Sequence, residues 1–217
     1  CNSKVKMENE FSNISQKLIM QSLEWAYAKA VNGVVGLGSA EELAQEYLKE
    51  GDSLPEQINN LIRWQNAKAG TSGFLTGIGG ILTIPVTLPA NITSILYIQL
   101  RMIAAIAIMC GYDVKDDKVK TLAYSCLVAT SSAEIVKNLG IKIGEKIAVS
   151  MLKKLPGALI TKINQAVGFR LLTRFGQKGA INLIKGVPLL GGVIGAALDI
   201  VSTNTVGNVA RDLFIGK

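Results

Sequence analysis

Residues 69–100, AGTSGFLTGIGGILTIPVTLPANITSILYIQL, run for thirty-two positions without a charge. A charge-free run of this length is either the buried centre of a domain or a segment that enters a bilayer. Its prolines divide it. From Gly73 to Ile84 there are twelve residues, short of the roughly 20 that a bilayer core requires, and Pro85 removes a helical hydrogen bond where that piece would continue. A second helix is expected to begin with Pro89 in its first turn, where the missing N–H costs nothing, and to run to about Cys110, with Gly111 as its stop. The product is a helical hairpin, either a soluble core hairpin or a re-entrant membrane hairpin. Gly73 and Gly77 stand four apart, and Gly79 and Gly80 follow. On a helix such glycines form a flat stripe where another backbone can come close. Gly191 and Gly195, in the apolar stretch LLGGVIGAAL, are read in the same way.

Polar residues inside these apolar stretches are the next signal. On the helix from Pro89, Asn91, Ser94, Ile98 and Arg101 follow three-and-four spacing, so Arg101 closes a polar stripe in Ile-rich surroundings. Asp199 is similarly isolated after GVPLLGGVIGAAL, with Ser202 and Thr203 one turn on. A buried single charge is costly unless paired. Arg101 is therefore expected to be largely buried and bonded to a carboxylate, with Asp199 the first choice and Asp113 the second. The constellation is read as a structural ion pair or as a polar cavity for a lipid headgroup or small ligand.

Several separated blocks of this chain resemble one bacterial family. GFLTGIGGILTIPVTLPAN at 73–91, QLRMIAAIA at 99–107, GYD at 111–113, AVGFRLLTRFGQKGAINL at 166–183 and VPLLGGVIGAALD at 187–199 occur in the order seen in the EcsC family. The resemblance covers about Pro55 to Phe214. It implies an all-helical, membrane-associated protein, with a link to an ABC transporter or secretion. It implies no particular reaction and carries over no catalytic residues.

Composition agrees with one compact unit. At 217 residues, 49% of them hydrophobic, and with a mean hydropathy of +0.34, the chain can bury a sizeable core. Aromatic residues make up only 6% of the chain, which disfavours the stacking platforms of nucleic-acid binding. Charge is unevenly spread. Residues 137–217 carry twelve Lys and Arg against three acids, whereas residues 1–136 carry eleven against thirteen. Lys142, Lys146, Lys153, Lys154, Lys162, Arg170, Arg174, Lys178 and Lys185 alternate with Ile, Leu and Val, the pattern of a basic amphipathic surface facing anionic lipid. The same residues also serve as a solvated helix face.

The cysteines make no metal or disulfide pattern. Cys110 and Cys126 sit in apolar helical sequence, where free thiols act as small hydrophobes. Cys1 has three readings: a lipoprotein cysteine, a residue exposed by methionine removal, or simply the start of the segment, of which the last two are favoured. The charged and polar opening KVKMENEFSNISQK is not expected to be a secretory signal.

Outside the hairpin the whole chain reads as helix. A first helix from Glu8 to Asn32 is stopped by Gly33, Gly36 and Gly38. Ser39 with Glu42 forms a capping box for a short helix to Glu50, and Ser53 with Glu56, with Pro55 in the first turn, forms another for a helix to Ala69. The break at Gly51-Asp52-Ser53 suggests an amino-terminal helical arm, 1–52, before an EcsC-like domain, 53–217. Asp113 and Asp116 precede a helix through about Thr130, and Ser131 with Glu134 precedes one reaching toward Leu155. After Pro156 and Gly157, helices are expected over 158–174, 177–185 and 189–213. The fold class is thus all-α, a single multi-helix domain with the glycine-rich apolar hairpin at its centre.

The chain has no histidine, so the usual general base, the Ser-His and Cys-His pairs and histidine metal sites are excluded. Ser131 and Ser132 near Lys137 would offer a lysine-activated serine, and Asp113, Asp116 and Asp117 an oxygen-ligand cation site; helix capping explains both sets equally well. The GxGG at 77–80 lacks a preceding strand and a P-loop lysine. The expected function is accordingly that of a membrane-associated accessory protein, cytoplasmic and peripheral to or partly inserted in the membrane, without metal or cofactor, binding lipid or the anionic surface. The alternatives are a hydrolase or peptidase using Ser/Lys or carboxylates, and a soluble helical adaptor for a protein partner.

Overall fold

The structure, a computed structural model, describes the backbone of residues 2–48, 52–70, 90–140, 149–175 and 192–216, and the side chains of 16–48, 52–70, 94–140, 151–173 and 203–216. Among these residues it is all helix, with no strand. The helices are α1 (Asn2–Asn32), α2 (Ala40–Tyr47), α3 (Leu54–Ala69), α4 (Ala90–Met109), α5 (Asp117–Cys126), α6 (Ser132–Asn138), α7 (Val149–Leu152), α8 (Gly157–Phe175) and α9 (Gly192–Ile215).

Local chemistry sets many of the ends. Ser39 accepts from the Glu42 N–H at 3.1 Å while Glu42 takes the Ser39 N–H at 2.6 Å, the reciprocal box expected at the start of α2. At α3 the Glu56 carboxylate receives both the N–H and the hydroxyl of Ser53. At the end of α4, Tyr112 N donates to Ala107 O and Gly111 N to Ile108 O. That is a Schellman pair around Gly111, whose φ of +83° is open to glycine at little cost.

Other ends differ from expectation. Helix α2 stops at Tyr47. Helix α5 is capped by Asp116, which accepts from Lys118 N at 2.8 Å, and ends at Cys126 instead of near Thr130. Its last turn tightens there through Leu127 N to Tyr124 O and Val128 N to Ser125 O. Helix α6 does not reach toward Leu155: it closes at Asn138, and Gly140 follows with φ +71°.

Helix α4 is the centre. Leu100, Met102, Ile103, Ala104, Ala105, Ile106 and Ala107 have no exposed surface, as a helix that is apolar all round requires. Helices α1, α2, α3, α5 and α9 pack around it. Leu23, Ala26 and Ala30 of α1 and Leu43 and Ala44 of α2 join the same core cluster, so the helices before Asp52 contribute to one hydrophobic core with those after it. Tyr27 strengthens that contact, donating to the Val114 carbonyl at 2.8 Å and meeting Tyr124 edge-on at 5.7 Å.

The glycines singled out from the sequence lie largely elsewhere. Gly73, Gly77, Gly79, Gly80 and Gly191 are outside the described residues, and of Gly195 only its backbone in α9 is described. A close-packing glycine does occur, at Gly207. A Cβ there would come within 2.9 Å of two Ile62 carbons and 3.2 Å of the Met102 methyl, so α9 touches α3 and α4 through bare backbone.

Candidate functional site

Two groupings deserve functional scrutiny: the polar residues within the core and the basic surface around α8. In the core, Ser94 and Thr203 are fully buried. Thr203 of α9 pairs with Gln99 of α4, whose amide donates to its hydroxyl at 3.3 Å. This bond joins the two apolar helices, and Gln99 was absent from the residues expected to do so. The side chains of Asn91, Asp199 and Ser202 lie outside the described residues.

The expected first partner of Arg101, Asp199, thus lies outside the described side chains. Arg101 is partly exposed, with its Nε enclosed, and it donates from Nη2 to the Ser39 carbonyl at 3.4 Å. Among the described residues it has no ion pair, and its Nε is buried without a partner. The nearby Glu42 carboxylate accepts the Ser39 N–H, and the carbonyl of the same residue accepts from Arg101. Burial pulls the guanidinium below its usual range, while Tyr97, Glu46 and Glu42 oppose that shift. Gly38 leaves the room: a Cβ on it would stand 3.2 Å from Nη2 and 2.8 Å from a Glu42 oxygen.

Asp113 takes no part in this. It lies past the carboxyl end of α4, about 12 Å of helix beyond Arg101, is exposed, and accepts from Lys115 N at 2.9 Å.

The basic surface is better gathered. Lys153 and Lys154 are exposed in the turn before α8, and Lys162 and Arg170 are exposed along it. Lys118 donates to the Lys153 carbonyl at 2.7 Å, tying that turn to α5. Gln16 of α1 donates to the Gln165 carbonyl at 2.8 Å, fixing the middle of α8. Arg170 pairs with Glu134, whose other oxygen takes the Thr130 N–H. The Thr130 N–H and Arg170 together hold the Glu134 carboxyl below its usual range. Lys142, Lys146, Lys178 and Lys185 are outside the described residues, and of Arg174 only the backbone is described.

Within this face lies an apolar residue that the charge pattern alone did not single out. Phe169 is 58% exposed. Lys162, Ala166, Phe169 and Thr173, all exposed, follow one helical stripe. The seven-residue step from Lys162 to Phe169 was the available signal, since two turns return to the same face.

Beside the stripe, α8 leaves a groove of about 300 Å³ against the α5–α6 corner. Val128, Ile135, Ile163 and Val167 contribute its apolar lining, and Lys162, Arg170 and Glu134 its charge.

Comparison with known families decides the relationship: the model of the EcsC protein family matches residues 4–215. The chain belongs to the EcsC family. The match extends over α1 and α2, further toward the amino terminus than the blocks quoted above. No curated protein and no solved structure gives a match.

The chemical candidates of this EcsC-family chain are occupied locally. Ser131 caps α6 by accepting from Glu134 N at 3.3 Å. Asp116 caps α5, and Asp117 pairs with Lys120 at 2.7 Å. Among the described residues no group of three His, Cys, Asp or Glu is placed to hold a metal ion. Cys126 is fully buried, and burial pushes its thiol up, away from the reactive thiolate. Among the described residues no helix is long and apolar enough to cross a membrane.

Proposed function

We propose that this EcsC-family protein binds the anionic surface of the cytoplasmic membrane peripherally, through α8 and the turn before it, as a non-catalytic accessory protein. The observation that carries the reading is Phe169, a large ring 58% exposed on the helix that also displays Lys162 and Arg170. An interfacial helix buries such a ring at the headgroup boundary while Lys162 meets anionic lipid. Lys153 and Lys154 are exposed in the turn that leads into α8, and the chain's charge excess falls in the half that contains them. The ring and the lysines supply different parts of the binding, one salt-independent and one screened by salt.

Flotation with vesicles separates these parts. Anionic vesicles should carry the protein and neutral ones should not, with binding falling as salt rises. Phe169→Ala should weaken anionic binding at every salt concentration, and Lys153→Gln with Lys154→Gln should weaken it chiefly at low salt. Absence of flotation with either vesicle, or equal flotation with both, would overturn the reading.

A further inference from the structure

We propose that the groove between α8 and the α5–α6 corner holds one anionic phospholipid molecule, its phosphate at Lys162 and Arg170 and the start of one acyl chain along Val128, Ile135, Ile163 and Val167. The inference deepens the membrane-surface reading and rests on it. Its first support is shape and lining. At about 300 Å³ the groove stands at the lower end of the roughly 300–1,000 Å³ typical of ligand sites, room for a headgroup and the beginning of a chain. Ile135 and Val167 are buried, so the chain would lie on packed apolar surface.

Charge supplies the second support. Glu134 engages Arg170 and orients its guanidinium, while among the described residues Lys162 has no ion pair. The mouth therefore carries one uncompensated positive charge. A guanidinium has donors to spare beyond a single carboxylate contact, so a phosphate can be received without displacing Glu134. Position is the third. Lys162 and Ala166 line the groove and also belong to the stripe that contains Phe169. A lipid could pass from the bilayer under α8 into the groove without leaving the interface.

The test uses the whole chain and a short-chain anionic phospholipid below its micelle concentration, with its zwitterionic counterpart and inorganic phosphate as comparisons, titrated by calorimetry beside flotation. The anionic phospholipid should bind at least about tenfold more tightly than either comparison. Ala166→Trp, a change at an exposed helix position that fills the mouth, should weaken monomer binding about tenfold. Lys162→Gln should remove the preference for the anionic over the zwitterionic lipid. Wild-type affinity in Ala166→Trp, or phosphate binding as tight as that of the phospholipid, would overturn the groove. Flotation without any monomer binding overturns the groove alone. Monomer binding that Ala166→Trp abolishes, in a protein that does not float, supports the groove and overturns the surface reading instead.

Discussion

Helices α4 and α8 are nearly equal in length, 20 and 19 residues, and both are rich in Ile, Leu and Ala, yet one is enclosed by the fold and the other lies on it. What separates them is apolar content, which in α4 is uninterrupted by polar residues over two turns. From Met102 to Met109 α4 has none, and its neighbours cover it on every side. In α8, Thr161, Lys162, Gln165, Arg170 and Thr173 recur at intervals that keep one face wet while Val167 and Leu171 anchor the other. A helix that is apolar all round is enclosed, and one with a wet face lies on the fold. The single charge of α4, Arg101, donates to the Ser39 carbonyl at the start of α2.

The largest expected effect tests that contrast directly. Ile103→Ala, at a site with no exposed surface, should cost about 2–5 kcal/mol in denaturant unfolding through lost burial and a cavity. Ile163→Ala, at a half-buried site in α8, should cost about 1 kcal/mol, because less apolar area leaves water there. Equal losses would mean that α8 is as deeply embedded as α4, and the surface role assigned to it would fail.

A smaller effect is expected at Arg101. If Arg101 pairs with a buried carboxylate, Arg101→Met strands the acid and costs about 3–5 kcal/mol. With a carbonyl as its partner among the described residues and a buried Nε unpartnered, the change should cost about 1 kcal/mol or less. Combining it with Asp199→Leu should give additive effects. A large single loss that Asp199→Leu partly restores would establish the ion pair expected from the sequence.

The smallest effect concerns Glu134, on the α8 side of the comparison. Its folded-state pKa is lowered by the Thr130 N–H and by Arg170, so its stabilising contribution is present above the unfolded carboxyl pKa and is lost as pH falls through the lower folded value. Glu134→Gln should therefore lower the melting temperature slightly at neutral pH and not at all once the wild-type carboxyl is protonated. A difference between the two proteins that grows on acidification would contradict the assigned direction.

Much of the helical framework was legible because its signals are local. The boxes at Ser39–Glu42 and Ser53–Glu56 and the stop at Gly111 each close within a few residues, and all three stand where the sequence placed them. The ends of α5 and α6 were less legible. Leu127, Val128 and the residues around Gly140 continue an apolar pattern that permits helix, and the tightened turn after Tyr124 leaves no mark in it. The candidate site was legible as a composition, basic residues among aliphatic ones, but not as an arrangement: Phe169 on the stripe of Lys162, and Arg170 held by Glu134 thirty-six residues away.

The sequence by itself determined that this protein is all-α, where several helices start and stop, and that the helix after Pro89 is the most apolar part of the core, because capping, glycine stops and hydrophobic periodicity act over one or two turns. Only the tertiary structure decided which polar groups meet. Gln99 finds Thr203 across 104 positions and Arg101 finds Ser39 across 62, while Gly207 brings α9 against Ile62 and Met102. Those choices follow from the directions in which helices cross α4, and a crossing direction is set by how whole side-chain surfaces interlock, which no spacing within one helix encodes.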